Sequence, residues 1–378
     1  LENFFLGTIT DRGFHIEGNE SGGHVGFSVD TAGDMNGDGY DDVIIGAHHS
    51  DPHSDAVSGG ITYVVFGSDW DRSDQHFELT ELDGTNGFRL LGDNVNDYSG
   101  FSVSTAGDIN GDGYDDIIIG KPERYSDTPH AYVYFGKASG YTENVQVELL
   151  NGYDGFALNG TKDMHHGYSV SNAGDVNGDG YDDMLVGGWP VNFREDTIGI
   201  TSTDVSASAV TNSGEVYVVF GKKSGYKASE NLSSLEDDEG FRIEGIDSGD
   251  RFGYTTNTAG DMNGDGYADI IVGAPYAANK KGESYVIFGG DFTGDSTISG
   301  ASGSDDLTVS AMSIDQDTPL RDMPLTPGDD YVVKLSGSAE TCLGYAADAP
   351  PVVVELRGDG SDILSTGQQV NEVDEDEE

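Results

Sequence analysis

A chain of 378 residues with 56 glycines, 10 prolines and one cysteine has room for one large β domain and a smaller one, and is not collagenous. Its 69 acidic against 18 basic residues give a formal net charge of −51, which repels phosphate backbones and anionic bilayers and excludes nucleic-acid binding as a main role. Such a surface favours cations, and fits either a calcium-rich protein or one adapted to salty water.

In chain order, the first element is Gly13-Phe14-His15-Ile16-Glu17-Gly18, a short strand between glycines. A set of elements then repeats four times. It opens with a Gly-aromatic strand at Gly26–Val29, Gly100–Val103, Gly167–Val170 and Gly253–Thr256. An acidic loop follows, Ala-Gly-Asp-x-Asn-Gly-Asp-Gly-Tyr, with its first Asp at 34, 108, 175 and 261. Next comes a short apolar run ending in Gly: Val43–Gly46, Ile117–Gly120, Met184–Gly187 and Ile270–Gly273. Uniformly apolar runs of about five residues read as strands buried on both faces. After a variable loop stands a Tyr-rich strand ending in Phe-Gly: Tyr63–Gly67, Tyr132–Gly136, Tyr217–Gly221 and Tyr285–Gly289. The unit ends with Phe88–Gly92, Phe156–Gly160 and Phe241–Gly245, to which the N-terminal Phe14–Gly18 is the fourth counterpart.

Four short strands per unit are the make-up of a propeller blade. These repeats resemble FG-GAP repeats, the blade units of integrin α-subunit propellers and of many bacterial surface proteins, over roughly residues 1–290. The expected fold is all-β, an FG-GAP β-propeller with four blades visible. The N-terminal strand is expected to close the last blade, because the strand count then balances and two edges are hidden. The resembled propellers have seven blades, so the alternative is a ring completed by another chain.

Each acidic loop has the form Asp-x-Asn-x-Asp-Gly-Tyr-x-Asp, whose oxygens at positions 1, 3, 5 and 9, with the backbone carbonyl at 7, can wrap one hard cation. The sets are Asp34, Asn36, Asp38, Tyr40 and Asp42; Asp108, Asn110, Asp112, Tyr114 and Asp116; Asp175, Asn177, Asp179, Tyr181 and Asp183; and Asp261, Asn263, Asp265, Tyr267 and Asp269. Position 8 is Asp41, Asp115, Asp182 and then Ala268, whereas position 9 is always Asp, which makes position 9 the better ligand. An EF-hand needs a Glu at position 12, and Ile45, Ile119, Val186 and Val272 stand there instead. The expected cofactor is Ca²⁺, about four ions. Confined carboxylates repel until a divalent ion neutralises them, so folding and binding should be coupled. The resemblance implies that the ions brace the lower face while partners bind the upper one.

On that upper face the longest loop runs from Gly188 to Ser213 and carries Trp189, Phe193 and Arg194, residue types favoured at interfaces. His48, His49, Asp51, His53 and Asp55 could form a transition-metal site, although solvated loop histidines are the plainer expectation, as for His165 and His166. No Gly-x-Ser-x-Gly motif occurs, and the carboxylate pairs are accounted for by the loops, so an enzyme is not expected.

Residues 291–370 lose the repeat and read as a small β-rich region, with strands at Tyr331–Leu335 and Val352–Leu356. Ser302–Leu307 and Gly358–Leu364 resemble single turns of the RTX nonapeptide, too few to stack. Arg357-Gly358-Asp359 is read as a chance tripeptide, and 371–378 as an acidic tail.

The lone Cys342 excludes an intrachain disulfide. The chain starts at Leu1, which fits a processed secreted protein at a cell surface, with bacterial origin expected. No apolar run approaches the roughly 20 residues that span a bilayer, so no membrane insertion is expected. The function expected is extracellular binding or adhesion to a protein or glycan. The alternatives are a subunit of a surface layer or filament, built from copies of the chain, and a propeller module of a secreted polysaccharide- or lipid-degrading enzyme.

Overall fold

A computed structural model describes residues 13–54, 56–69, 76–122, 129–161, 164–190, 213–236, 238–292, 312–313 and 333–336. In chain order the strands are β1 (His15–Glu17), β2 (Ser28–Gly33), β3 (Asp42–Ala47), β4 (Ile61–Val65), β5 (His76–Glu78) and β6 (Gly87–Leu91). There follow β7 (Ser102–Gly107), β8 (Asp116–Gly120), β9 (Pro129–Tyr134), β10 (Asn144–Gln146) and β11 (Gly155–Asn159). Then come β12 (Ser169–Gly174), β13 (Asp183–Gly188), β14 (Glu215–Val219), β15 (Ser229–Asn231) and β16 (Gly240–Glu244). The last are β17 (Thr255–Gly260), β18 (Asp269–Ala274), β19 (Glu283–Ile287), β20 (Met312–Ser313) and β21 (Val333–Ser336).

The first blade is an antiparallel meander in the order β2, β3, β4, β6, the second β7, β8, β9, β11, and the third β12, β13, β14, β16. The acidic loop joins the first two strands of each blade. It sits at the end where Gly33 pairs Asp42, opposite the end where Ser28 pairs Gly46. A three-residue strand in the connection to each fourth strand adds in parallel to the blade before it. So β10 runs along β6, and β15 along β11.

The apolar runs of the second strands β8 and β13 are buried along their whole length because both faces are packed, whereas Val43 of β3 and Ile271 of β18 are exposed. Ile44 joins Met35, Val64 and Phe88 of its own blade with Val103, Ile117 and Tyr132 of the next in one buried cluster. The equivalent clusters join the second blade to the third and the third to the fourth. Blades also approach closely at the end away from the acidic loops, where a Cβ placed on Gly120 would collide with the carbonyl of Gly167. Among the described residues Gly273 meets no other blade, and its nearest atom is the hydroxyl of Thr255. Gly120→Ala is therefore expected to cost about 1–3 kcal/mol by overpacking, and Gly273→Ala far less. Urea unfolding of the two variants checks this.

Pairing of the N-terminal strand with the last blade is not observed among the described residues. β1 pairs in parallel with β5, just as β6 pairs with β10, so it occupies the fourth-strand position of a blade preceding the first. In the fourth blade, the edge of β19 is taken by β21, with β20 beside it. The blades thus form an arc whose closure is not observed. Val29 is 65% exposed where its counterparts Val103 and Val170 are 6% exposed. At the other end, Met262 is 48% exposed where Met35 and Ile109 are fully buried. The expected strand at Tyr331–Leu335 overlaps β21. The expected strand at Val352–Leu356, both RTX-like segments and the Arg-Gly-Asp tripeptide lie outside the described residues.

Candidate functional site

Each acidic loop is a run of side chains folded onto its own amides. In the first, Asp34 accepts from the amides of Asp38 (3.0 Å) and Gly39 (2.9 Å), and Asn36 Oδ1 accepts from Asp38 N (2.8 Å). Asp38 Oδ1 accepts from Tyr40 N (2.9 Å). The second, third and fourth loops repeat these bonds, with the Asp112, Asp179 and Asp265 amides on Asp108, Asp175 and Asp261. Gly at position 6 holds φ near +90° in all four, from +90° at Gly113 to +96° at Gly266, a conformation that suits glycine.

Position 9 differs from the rest. Asp42, Asp116, Asp183 and Asp269 are all fully buried. One carboxylate oxygen of Asp42 accepts from Met35 N (3.0 Å) and the other from Gly67 N (2.8 Å), the glycine of the Phe-Gly pair. The same two bonds recur at Asp116, Asp183 and Asp269. Each oxygen keeps a lone pair for a cation. Burial, partly offset by the backbone bonds, lifts Asp42 to about 7 and Asp183 to about 8, raises Asp116 well above the ordinary range, and raises Asp269. A buried carboxylate that resists ionisation is what a divalent ion would relieve, so the loops fit a hard oxygen-seeking cation.

Position 8 links blades. Asp115 Oδ2 accepts from Asp34 N (2.7 Å) and Asp182 Oδ2 from Asp108 N (3.0 Å). At the third junction, Ala268 carries no carboxylate, and its amide donates to the Asp175 carbonyl at 2.9 Å. The Asp115 and Asp182 amides make the same bond to the Asp34 and Asp108 carbonyls at 3.4 and 3.5 Å, so the third junction keeps the backbone link and lacks only the side-chain one.

Two tyrosines not singled out by the sequence reading lace the same junctions. Tyr141 donates to the Met35 carbonyl (2.7 Å) and stacks on Phe88, and Tyr226 donates to the Ile109 carbonyl (2.8 Å) and stacks on Phe156. Their signal is the repeated Lys-x-Ser-Gly-Tyr at 137–141 and 222–226.

At the end of the blades away from the acidic loops, Trp189 is 7% exposed and packs between Tyr168 and Tyr254, with the Arg251 guanidinium 5.8 Å from its ring. It forms the wall of the third and fourth blades. Phe193 and Arg194 lie outside the described residues. His165 and His166, expected to be solvated, are buried: His166 Nε2 lies 2.7 Å from Glu215 Oε1, and His165 packs on Trp189. His48, likewise expected in solvent, is 5% exposed and packs on Phe27 and Phe101. Burial, then the neighbouring His49 and His24, pull its pKa down to about 4. Of the described histidines in the first blade's loop, His53 lies apart, 3.6 Å from Asp93.

No helix of the described residues is long and apolar enough to cross a membrane. Residues 25–65, 99–139 and 252–287 match the FG-GAP repeat. The chain is similar to integrin alpha pat-2 of Caenorhabditis elegans, 34% identical over 195 residues, 51% of this chain and 14% of that protein. It is also similar to integrin alpha-PS2 of Drosophila melanogaster, 29% identical over 260 residues, 66% of this chain and 15% of that protein. A third relative is integrin alpha-5 of Xenopus laevis, 29% identical over 181 residues, 47% of this chain and 16% of that protein. The chain thus spans about one seventh of the length of the curated relatives it matches.

Proposed function

We propose that this integrin alpha-like FG-GAP repeat protein is a calcium-stabilised extracellular propeller that binds a protein or glycan through the loops at the end away from its acidic turns, and that it is not an enzyme. The carrying observation is the repetition of one ligand-quality loop at the same end of four blades, each with a buried acid at position 9. Bound there, calcium would neutralise carboxylates that burial otherwise penalises. The Asp at positions 1, 5 and 9, the Asn at position 3 and the carbonyls of Tyr40, Tyr114, Tyr181 and Tyr267 would hold it.

Because position 9 is tied to the Phe-Gly turn and position 8 to the neighbouring blade, fixing the loop also fixes blade stacking. The opposite end is then free to vary its loops on a rigid scaffold, as binding surfaces commonly do. Extracellular matrix proteins and glycans arrayed on a surface test the reading. The calcium-loaded protein should bind a defined subset, and replacing residues 191–212 by a short Gly-Ser turn should abolish binding without lowering the melting temperature. Binding unaffected by any loop replacement at that end overturns it.

A second reading, a structural subunit built from copies of the chain, has its own observation. Within the arc, Tyr114 packs over Gly37, Tyr181 over Gly111 and Tyr267 over Gly178. Tyr40 at one end is 47% exposed, and Gly264 at the other has nothing near it among the described residues. Among the described residues the two end faces, carrying exposed Val29 and Val43 at one end and Met262 and Ile271 at the other, therefore match each other. Burying each such side chain stabilises by roughly 1.5–3 kcal/mol. A head-to-tail contact of this type closes into a ring or runs on as a filament. Sedimentation velocity in calcium should show association that Tyr40→Ser weakens, and a monomer at every concentration excludes this reading.

A further inference from the structure

The first blade carries a feature that the acidic loops and their cations do not use. His24 precedes β2, and His48 and His49 follow β3, so antiparallel pairing brings them to one point at the end opposite the acidic loop. The ring centroids lie 5.6 Å apart for His24 and His48, 4.9 Å for His24 and His49, and 4.3 Å for His48 and His49. One ring nitrogen from each lies within 4.8 Å of the others.

The backbone here is ordinary for the fold, whereas the side chains are particular to this blade. His24 has a φ of +57°, and Tyr98 and Arg251 at the same step of the second and fourth blades have +55°. The left-handed turn thus recurs in three blades, and among the described residues three imidazoles with a nitrogen each within 4.8 Å of one another occur only at the first. His48 Nδ1 is buried and has no hydrogen-bond partner among the described residues. A buried polar atom left without a partner in a packed wall calls for an explanation, and a bound ion is one. His49 Nδ1 lies 3.2 Å from Ser58 Oγ, an outer bond of the kind that fixes the ring of a metal-bound histidine. Phe27, Phe101 and Tyr98 surround the cluster, while His24 faces solvent.

We propose that His24, His48 and His49 bind one zinc-class divalent transition-metal ion at the upper end of the first blade. Three neutral imidazoles suit zinc, and calcium prefers oxygen. Tetrahedral coordination at about 2.05 Å separates ligand nitrogens by about 3.4 Å, so the cluster needs to tighten, and exposed His24 is free to swing inward. The fourth position faces solvent and stays open to water or to a carboxylate. A second group, His15, Glu17 and His76, is exposed at all three residues and offers no unpartnered buried nitrogen, so it serves as the internal control.

Zinc binding is measured on the calcium-saturated protein by equilibrium dialysis, with cobalt absorption as the geometric readout. The wild type should take up one tight equivalent of zinc and give tetrahedral-type cobalt bands. His15→Gln/His76→Gln should retain both, and His48→Gln/His49→Gln should lose both. Because His48 is buried, the exposed His24→Ala provides a variant that leaves packing intact, and its zinc affinity should fall by more than the roughly 10-fold that losing an outer partner of a ligand costs. Unchanged zinc affinity in His24→Ala, or equal uptake by wild type and His48→Gln/His49→Gln, overturns the proposal.

Discussion

Chelation at pH 8 should unfold the blades or lower their melting temperature by tens of degrees, and the loss should shrink at pH 5. A ligand at 100 times its dissociation constant stabilises by about 2.7 kcal/mol per site. Four loops together reach on the order of 11 kcal/mol, comparable with the whole stability of a typical domain at about 5–15 kcal/mol. The pH dependence follows from position 9. In the metal-free fold, burial lifts Asp42 to about 7 and Asp183 to about 8 from an ordinary 3.8. The folded state then holds its protons more tightly than the unfolded chain does. That contribution is fully present below pH 3.8 and is lost as the pH rises through 7 to 8.

Calcium needs the ionised form, so its stabilisation runs the other way and grows with pH. The metal-free protein should melt higher at pH 5 than at pH 8, and added calcium should raise the melting temperature more at pH 8. General repulsion from a net charge of −51 also weakens the metal-free fold as pH rises. Asp183→Asn separates the two effects. The buried charge vanishes while the rest of the acidic surface is untouched, so the variant should lose stability mainly in calcium and far less in chelator at pH 8. Equal losses in both conditions would mean that the buried carboxylate acts only through its bonds to Val176 and Gly221.

The blade architecture was legible because its signal is local and repeated. Val43–Gly46 and Ile117–Gly120 fall within β3 and β8, since a run buried on both faces needs no alternation to betray it. The acidic loops were legible for the same reason, as donor spacing within nine residues is a property of one turn. Partner choice over distance was not. The strand at 15–17 looks like any fourth strand, and its sequence does not say that β5 will lie beside it. The short clasps β5, β10 and β15 are three residues each, too brief for alternation to register.

Burial of polar and aromatic loop residues was also misjudged. His48, His165 and His166 read as solvent-facing because they sit in loops, and Trp189 as a binding residue of the upper face, yet neighbouring blades cover all four. Ala268 sets position 8 apart from position 9 along the chain, but the bond of position 8 to the next blade needed the third dimension. The match to Gly37 that Tyr114 makes likewise has no trace along the chain.

The second large effect concerns an ion pair between the first two blades. Asp97, in the connection from β6 to β7, and Lys121, directly after β8, are each 1% exposed, with Nζ 3.0 Å from Oδ1. Asp97 Oδ2 also accepts from the Asn94 amide at 3.0 Å, so the acid holds the connection as well as the lysine. Removing one partner leaves the other charge in a packed interior, at a cost of roughly 3–5 kcal/mol. Lys121→Met and Asp97→Asn should each lose about that much. The amide in the second variant keeps an acceptor for Asn94. In the double variant no charge is stranded, so it should be more stable than either single variant, giving a coupling energy of about 2–3 kcal/mol in a double-mutant cycle. Additive losses from urea unfolding would mean that each residue contributes by packing and backbone support alone. A large coupling would identify the pair as a latch between blades that works independently of calcium, and its contribution should then persist in chelator.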